Sequence, residues 1–146
     1  MLVGNAQKMV YSAKYTPRDR IRVYEYCVSL YKLLFSDGDF GFYATRLADC
    51  YRELARAYAA LEDADRCVSA LSDMTKYAVM YDTQSDFHHM SLMVNRLENK
   101  VESSVKNTSA NSCKTALTDL SDSCYDFIRS RAELIKLKSE LEQYAN

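Results

Sequence analysis

Apolar residues recur every three to four positions along most of this chain. Between residues 17 and 36 they are Ile21, Tyr24, Cys27 with Val28, Tyr31, Leu34 and Phe35. That is the period of one face of an α-helix. A second helix follows over about 43–60, with Leu47, Tyr51, Leu54, Ala55 and Tyr58 on one face. Leu61-Glu62-Asp63 marks a turn, and a third helix over about 64–82 carries Cys67, Leu71, Met74 and Ala78. Asp82 to Asp86 reads as the next break. A further helix then carries Phe87, Met90, Val94, Leu97, Val101 and Val105, and Lys106 to Ser112 is a polar loop. The last stripe is the longest, with Leu117, Leu120, Cys124, Phe127, Ile128, Leu134, Leu137, Leu141 and Tyr144. It predicts one long helix over about 112–144. A short helix fits residues 3–14, and no segment alternates as a strand does.

The breakers agree with this reading. The chain has one proline, Pro17, and neither glycine nor proline after Gly41. More than a hundred residues free of both favour helices turned by Asp, Ser and Asn. Thr16-Pro17-Arg18-Asp19 is a helix start: Thr16 caps, Pro17 suits the first helical position, and Asp19 brings a carboxylate to the free N–H groups. Two of the three glycines stand in "SDGDFGFYATR", residues 36–46. The stretch contains the letters of a kinase magnesium motif, but the catalytic-loop Asp, strand lysine and Gly-rich loop of a kinase are missing. A calcium loop from Asp37 fails because Phe42 and Ala48 occupy its glycine and glutamate positions. It reads instead as a corner: Gly38 and Gly41 supply tight backbone, and Phe40, Phe42 and Tyr43 tuck back between helices.

Composition narrows the function. A chain of 146 residues fits one domain. Its net charge of −1 shows no basic excess for nucleic acid or an anionic membrane. Arg22, Glu25 and Lys32 interrupt the longest apolar runs, so no membrane span is expected. The N-terminal residues lack a signal-peptide pattern, which makes the cytoplasm the expected compartment. The five cysteines, Cys27, Cys50, Cys67, Cys113 and Cys124, contain no C-x-x-C. They read as small buried side chains in a reducing compartment. His88 and His89 are adjacent, so on a helix they diverge by about 100° and cannot form a metal pair. No nucleophile elbow, phosphate loop or marked carboxylate pair occurs. An enzyme is not expected, nor any cofactor or metal.

The chain echoes itself. Cys27-Val28-Ser29 matches Cys67-Val68-Ser69, and Tyr31 and Leu34 align with Leu71 and Met74 at the same offset of 40, a period of the order that helical repeats show. The stretch from Ala48 to Tyr81 resembles one tetratricopeptide (TPR) repeat, with Tyr51, Leu54-Ala55 and Tyr58 on the first helix and Cys67, Leu71 and Met74 on the second. It departs from that pattern at Glu62, where glycine usually turns the chain, and at Val79, where proline often ends the second helix. Val28 to Asp63 and Tyr81 to Glu98 also look like the helical-repeat region of bacterial Xre-type transcriptional regulators. That resemblance covers about residues 18–100 and implies a sensor or assembly module of a transcription factor. No segment offers the Gly-containing turn of a helix-turn-helix, so the DNA reader is not expected within this sequence.

Arg46, Asp49, Arg52 and Arg56 lie along one side of the second helix. The repeat comparison places Asp49, Arg52 and Arg56 on the concave groove, where the arginine fork can hold a carboxylate bidentately. Asn95 and Arg96 would extend that surface. The plain alternative pairs Arg52 and Arg56 with Asp49 and Glu53 in water. The twelve tyrosines suit half-buried interface positions. The last helix would cap the stack or pair with its counterpart in a homodimer, although Arg131 and Lys138 interrupt a strict heptad. The expectation is therefore an all-α domain over 1–146. TPR-like antiparallel helix pairs over about 17–105 would be closed by a long C-terminal helix. The expected work is binding a peptide or partner protein, with no direct nucleic-acid contact. A stand-alone adaptor or dimerisation protein without a small ligand is the rival reading.

Overall fold

Thr16 opens the first helix as its residue type predicts. Its hydroxyl accepts the N–H of Asp19 at 3.2 Å, and the Asp19 carboxylate in turn accepts the N–H of Thr16 at 3.3 Å, closing both ends of a capping box. The structure, a computed structural model, describes residues 14–84 and 111–145. Among them are five α-helices: α1 (Pro17–Leu34), α2 (Ala44–Ala60), α3 (Ala64–Thr83), α4 (Ser112–Leu120) and α5 (Ala132–Tyr144), with no strand. Short 3₁₀ segments, Gly41–Tyr43 and Ser123–Ile128, precede α2 and join α4 to α5. The helices expected at 3–14 and over Phe87 to Val105, and the residues His88, His89, Asn95 and Arg96, lie outside the described residues. None of the described helices is long and apolar enough to cross a membrane.

Neighbouring helices alternate in direction. Tyr58, near the end of α2, donates its hydroxyl proton to Glu25 of α1 at 3.1 Å, while Tyr43, just before α2, meets Tyr31 in a tilted ring contact with centroids 6.0 Å apart. α2 therefore runs back along α1. Cys67 of α3 faces the Ala55 carbonyl of α2, and Tyr77 stacks on Tyr51 with centroids 5.6 Å apart, so α3 runs back along α2. α1 and α3 thus run the same way on either side of α2. α4 and α5 form a hairpin that packs on α3.

α2 is the centre of this arrangement, and its sequence explains why. Ala44, Ala48, Ala55 and Ala59 are all buried. These small side chains let neighbours approach α2 from several sides, as a helix apolar around most of its circumference requires. Leu47, Cys50 and Leu54 fill the remaining space within one continuous core. The corner before α2 is the aromatic plug its letters predict. Phe40 is buried and meets Phe35 and Tyr77 with centroids 5.9 and 5.4 Å apart. Gly38 has φ +81° and Gly41 φ +50°. Asp37 and Asp39 spend their carboxylates on the N–H groups of Asp39 and Gly41, as turn residues do.

The single long helix over 112–144 is corrected. The chain leaves α-helical geometry after Leu120, passes through the 3₁₀ segment Ser123–Ile128 and resumes the α-helix at Ala132. Local side chains compete for the backbone here. The Asp122 carboxylate accepts the N–H of Cys124 at 3.0 Å, and the Ser121 hydroxyl bonds the Leu117 carbonyl at 3.1 Å. Arg129 then folds back and donates to the carbonyls of Leu120 and Asp122, covering acceptors that the end of α4 leaves open. The break turns the apolar stripe into two faces. Leu120, Tyr125, Ile128, Leu134, Leu137 and Leu141 all reach the core, whereas Phe127 stays 44% exposed.

Candidate functional site

Two faces of α2 are polar at their edges, and the structure uses them differently. Tyr51, Leu54 and Tyr58 fall within about 60° of one another around α2, and Asp49, Arg52 and Arg56 centre about 160° away. The tyrosine face looks into an open groove of about 620 Å³. The arginine face looks at α4.

On the arginine face, Arg52 pairs with Asp49 at 3.2 Å, with Glu53 at 3.4 Å and with Asp119 of α4 at 3.6 Å. Arg56 reaches Asp119 at 3.3 Å and Asp122 at 3.4 Å. Arg46 touches Asp49 only at 3.9 Å and is the outermost of the set. The expected pairs of Arg52 with Asp49 and Glu53 are therefore present. Asp49, Arg52 and Arg56 lie on the flank of α2 beside α4, where Asp49 and Arg56 keep more than a third of their side chains exposed. Between α2 and α4 a crevice of about 20 Å³ remains, room for a water and no more. Burial pushes the Asp119 carboxyl above its ordinary value despite Arg52 and Arg56, and burial does the same to Asp49. Burial works against the Arg56 charge, but Asp119 and Glu53 outweigh it and hold the guanidinium above its usual range. Asp122 is lowered, chiefly by the N–H of Cys124. The sequence signal missed here was "TDLSDS", Thr118 to Ser123, whose two aspartates, three residues apart, supply the acceptors for the arginines of α2.

The groove is built from three helices. α1 supplies Glu25, Val28 and Ser29 as one wall, and α3 supplies Arg66, Ser69, Ala70 and Asp73 as the other. Its floor is Tyr51, Leu54 and Tyr58 of α2. The walls are related by the internal echo. Ser29 and Ser69 occupy matching positions and both line the groove, while Cys27 and Cys67 are both fully buried behind them. Charge alternates along its length. At one end Glu25 stands on α1 and Arg66 on α3, with the Arg66 guanidinium 5.9 Å from the centre of the Tyr58 ring. At the other end Lys32 of α1 lies 5.7 Å from the Tyr51 ring centre, and Asp73 stands on α3. These distances suit cation–π attraction. Burial, then Asp73, pushes the Tyr51 hydroxyl up to about 12, so the floor stays neutral at physiological pH. Of this groove, Tyr51, Leu54 and Tyr58 stood out in the sequence as one helix face, and Val28, Ser29 and Ser69 through the internal echo. The rest needed the helices side by side.

The thiols show no reactive arrangement. Cys27, Cys50, Cys67 and Cys113 are buried and Cys124 is exposed. Burial, then Asp122, pushes Cys124 up to about 11, away from the thiolate. Among the described residues no three His, Cys, Asp or Glu side chains cluster as metal ligands would.

No protein-family model matches the chain, and neither a curated protein nor a solved structure matches it.

Proposed function

We propose that this chain is a non-enzymatic binding module that takes a short peptide segment of a partner protein in the groove between α1 and α3. The observation that carries this reading is the groove itself. It has an aromatic floor, two polar walls, and an acid and a base facing each other at each end. A volume of about 620 Å³ falls within the range of small-ligand and peptide sites. Apolar side chains of the peptide would rest on Tyr51, Leu54 and Tyr58. Its charged side chains would meet Glu25 or Asp73, and Arg66 or Lys32. Ser29 and Ser69 offer hydroxyls to its backbone.

In this reading the helices act as a TPR-like stack, with the echoed helices α1 and α3 as equivalent walls. The resemblance to Xre-type regulators would place the module in transcription control, as the sensing and assembly part of a regulator. Peptide binding would change the tilt between α1 and α3, because both walls touch the ligand. The arginine set of α2 serves here to fasten α4, since its charges are taken up by Asp49, Glu53, Asp119 and Asp122.

The test is selection of peptides from a displayed random library against the whole chain. A blocked variant, Ser29→Arg with Ser69→Arg, fills the groove from two exposed positions without touching the core. Selected peptides should bind the parent and lose at least about tenfold in affinity, about 1.4 kcal/mol, on the blocked variant. Equal binding to both proteins would remove the groove from the site.

A further inference from the structure

The groove over α2 is too narrow for a helix. Its α3 wall runs from Arg66 to Asp73 and its floor from Tyr58 to Tyr51, each seven residues and so about 10.5 Å of helix axis. Spread over that length, a volume of about 620 Å³ leaves a cross-section of about 60 Å². A helix with its side chains is about 10–12 Å across and needs about 80–110 Å². An extended chain, at about 3.3 Å per residue, covers the same length in three steps. The two carboxylates of the groove stand on a diagonal. Glu25 belongs to α1 at the Tyr58 end, where it accepts the Tyr58 hydroxyl proton at 3.1 Å. Asp73 belongs to α3 at the Tyr51 end, where its charge adds to burial in raising the Tyr51 hydroxyl. Neither carboxylate has an ion-pair partner among the described residues. Arg66 is drawn instead to Asp63 at 3.6 Å and to the Tyr58 ring, and Lys32 lies over the Tyr51 ring.

Resting on the peptide-binding reading above, we propose that the groove selects an extended segment with two basic residues three apart, Lys/Arg-x-x-Lys/Arg. Residues i and i+3 of a strand point to opposite sides and lie about 10 Å apart. One basic side chain therefore meets Glu25 on α1 while the other meets Asp73 on α3, whichever way the segment runs. Its methylene stem lies along the Tyr58 or Tyr51 ring and its charge reaches the carboxylate beside that ring. Between the two ends the walls carry Ser29, Ser69 and Ala70, whose small side chains leave room for the intervening pair. Other spacings fail on parity. A basic pair at i, i+2 or i, i+4 puts both charges on one wall. The base that misses a carboxylate then faces Lys32 on α1 or Arg66 on α3.

The test uses displayed peptides that bind the whole chain and are lost on Ser29→Arg with Ser69→Arg. Those peptides should be enriched in Lys or Arg pairs at i and i+3. Synthetic peptides that differ only in where the second lysine stands should bind at least about tenfold tighter at i+3 than at i+2 or i+4. Asp73→Lys should weaken the Lys-x-x-Lys peptide at least about tenfold and should instead take Lys-x-x-Glu or Glu-x-x-Lys better than the parent does. That gain of binding also shows that the variant is folded. Groove-dependent peptides without such a basic pair, or with acidic pairs in its place, overturn the inference and leave the groove reading standing. So does a Lys-x-x-Lys peptide indifferent to Asp73→Lys. If no selected peptide depends on the groove, the inference and the reading fall together.

Discussion

Asp82, at the end of α3, accepts the backbone N–H of Cys113, at the start of α4, at 2.7 Å. Its other carboxylate oxygen accepts the N–H of Ser112 at 3.1 Å. A carboxylate thus caps a helix thirty-one residues further along the chain. The first N–H groups of a helix have no partner within it and carry the positive end of its dipole, so an anion is well placed there. Asn111 completes the junction. Its side-chain oxygen accepts the N–H of Lys114 at 2.8 Å, and its amide donates to the Tyr144 carbonyl at 2.9 Å. The end of α3, the start of α4 and the end of α5 are therefore tied at one point.

Removing this cap should be costly for a surface-near change. Asp82→Ala leaves two N–H groups without an acceptor beside the buried Cys113 and should lose about 1–2 kcal/mol. Asp82→Asn keeps an acceptor but loses the charge, so it should lose less. Urea denaturation of the three proteins gives the ordering. Equal midpoints for Asp82→Ala and the parent would show that the cap contributes nothing.

Glu62 stands in the turn between α2 and α3 with φ +54°. An L-residue in that left-handed region costs about 1–2 kcal/mol, and glycine avoids the clash. Glycine also loses more freedom on folding, by about 0.5–1 kcal/mol. Glu62→Gly should therefore stabilise the chain by a net of about 0.5–1 kcal/mol. The measurement is the shift in thermal midpoint at matched conditions. A drop in midpoint would mean that the Glu62 side chain contributes more than its backbone costs.

The ion pairs between α2 and α4 should respond unequally to mutation and to pH. Arg56→Ala leaves Asp119 and Asp122 with fewer partners and should lose about 1–3 kcal/mol. Asp119 is different because burial raises its carboxyl above the ordinary 3.8. A raised folded-state value means that the protonated form is favoured on folding. That contribution is complete below the ordinary aspartate range and is lost as pH rises through the raised value. Asp119→Asn, a neutral mimic, should therefore match the parent near pH 3. Relative to the parent it should gain as pH rises past the raised value, staying within about 1 kcal/mol overall. Denaturation at several pH values reads this out, and a variant that falls behind the parent with rising pH would reverse the sign. Arg52→Glu with Arg56→Glu should destabilise the chain more than Arg56→Ala does. It sets new carboxylates against Asp119 and Asp122.

The helical class and most element positions were legible because they rest on local rules. Tyr24, Cys27, Val28 and Tyr31 recur at the helical period and are the residues α1 buries. Thr16, Pro17 and Asp19 mark its start, and Gly38 and Gly41 mark the corner after it. The long last helix was misread because its apolar period continues through the break. Asp122 and Ser121 end α4 by hydrogen-bonding backbone, which periodicity does not register. The arginine set was legible on α2, but its partners on α4 were not. Nothing local shows that Asp119 and Asp122, more than sixty residues away, fold back onto Arg56.

By itself, then, the sequence determined an all-helical chain, the helix starts, the aromatic corner and the matched pair of segments around Cys27 and Cys67. Each follows from side-chain period, capping chemistry or backbone sterics within a few residues. Tertiary structure alone decided that the matched segments become facing walls, that α2 lies beneath them as a floor, and that α4 claims the arginines. Those outcomes depend on which faces of different helices bury one another, and burial is a property of the assembled core rather than of any one stretch of chain.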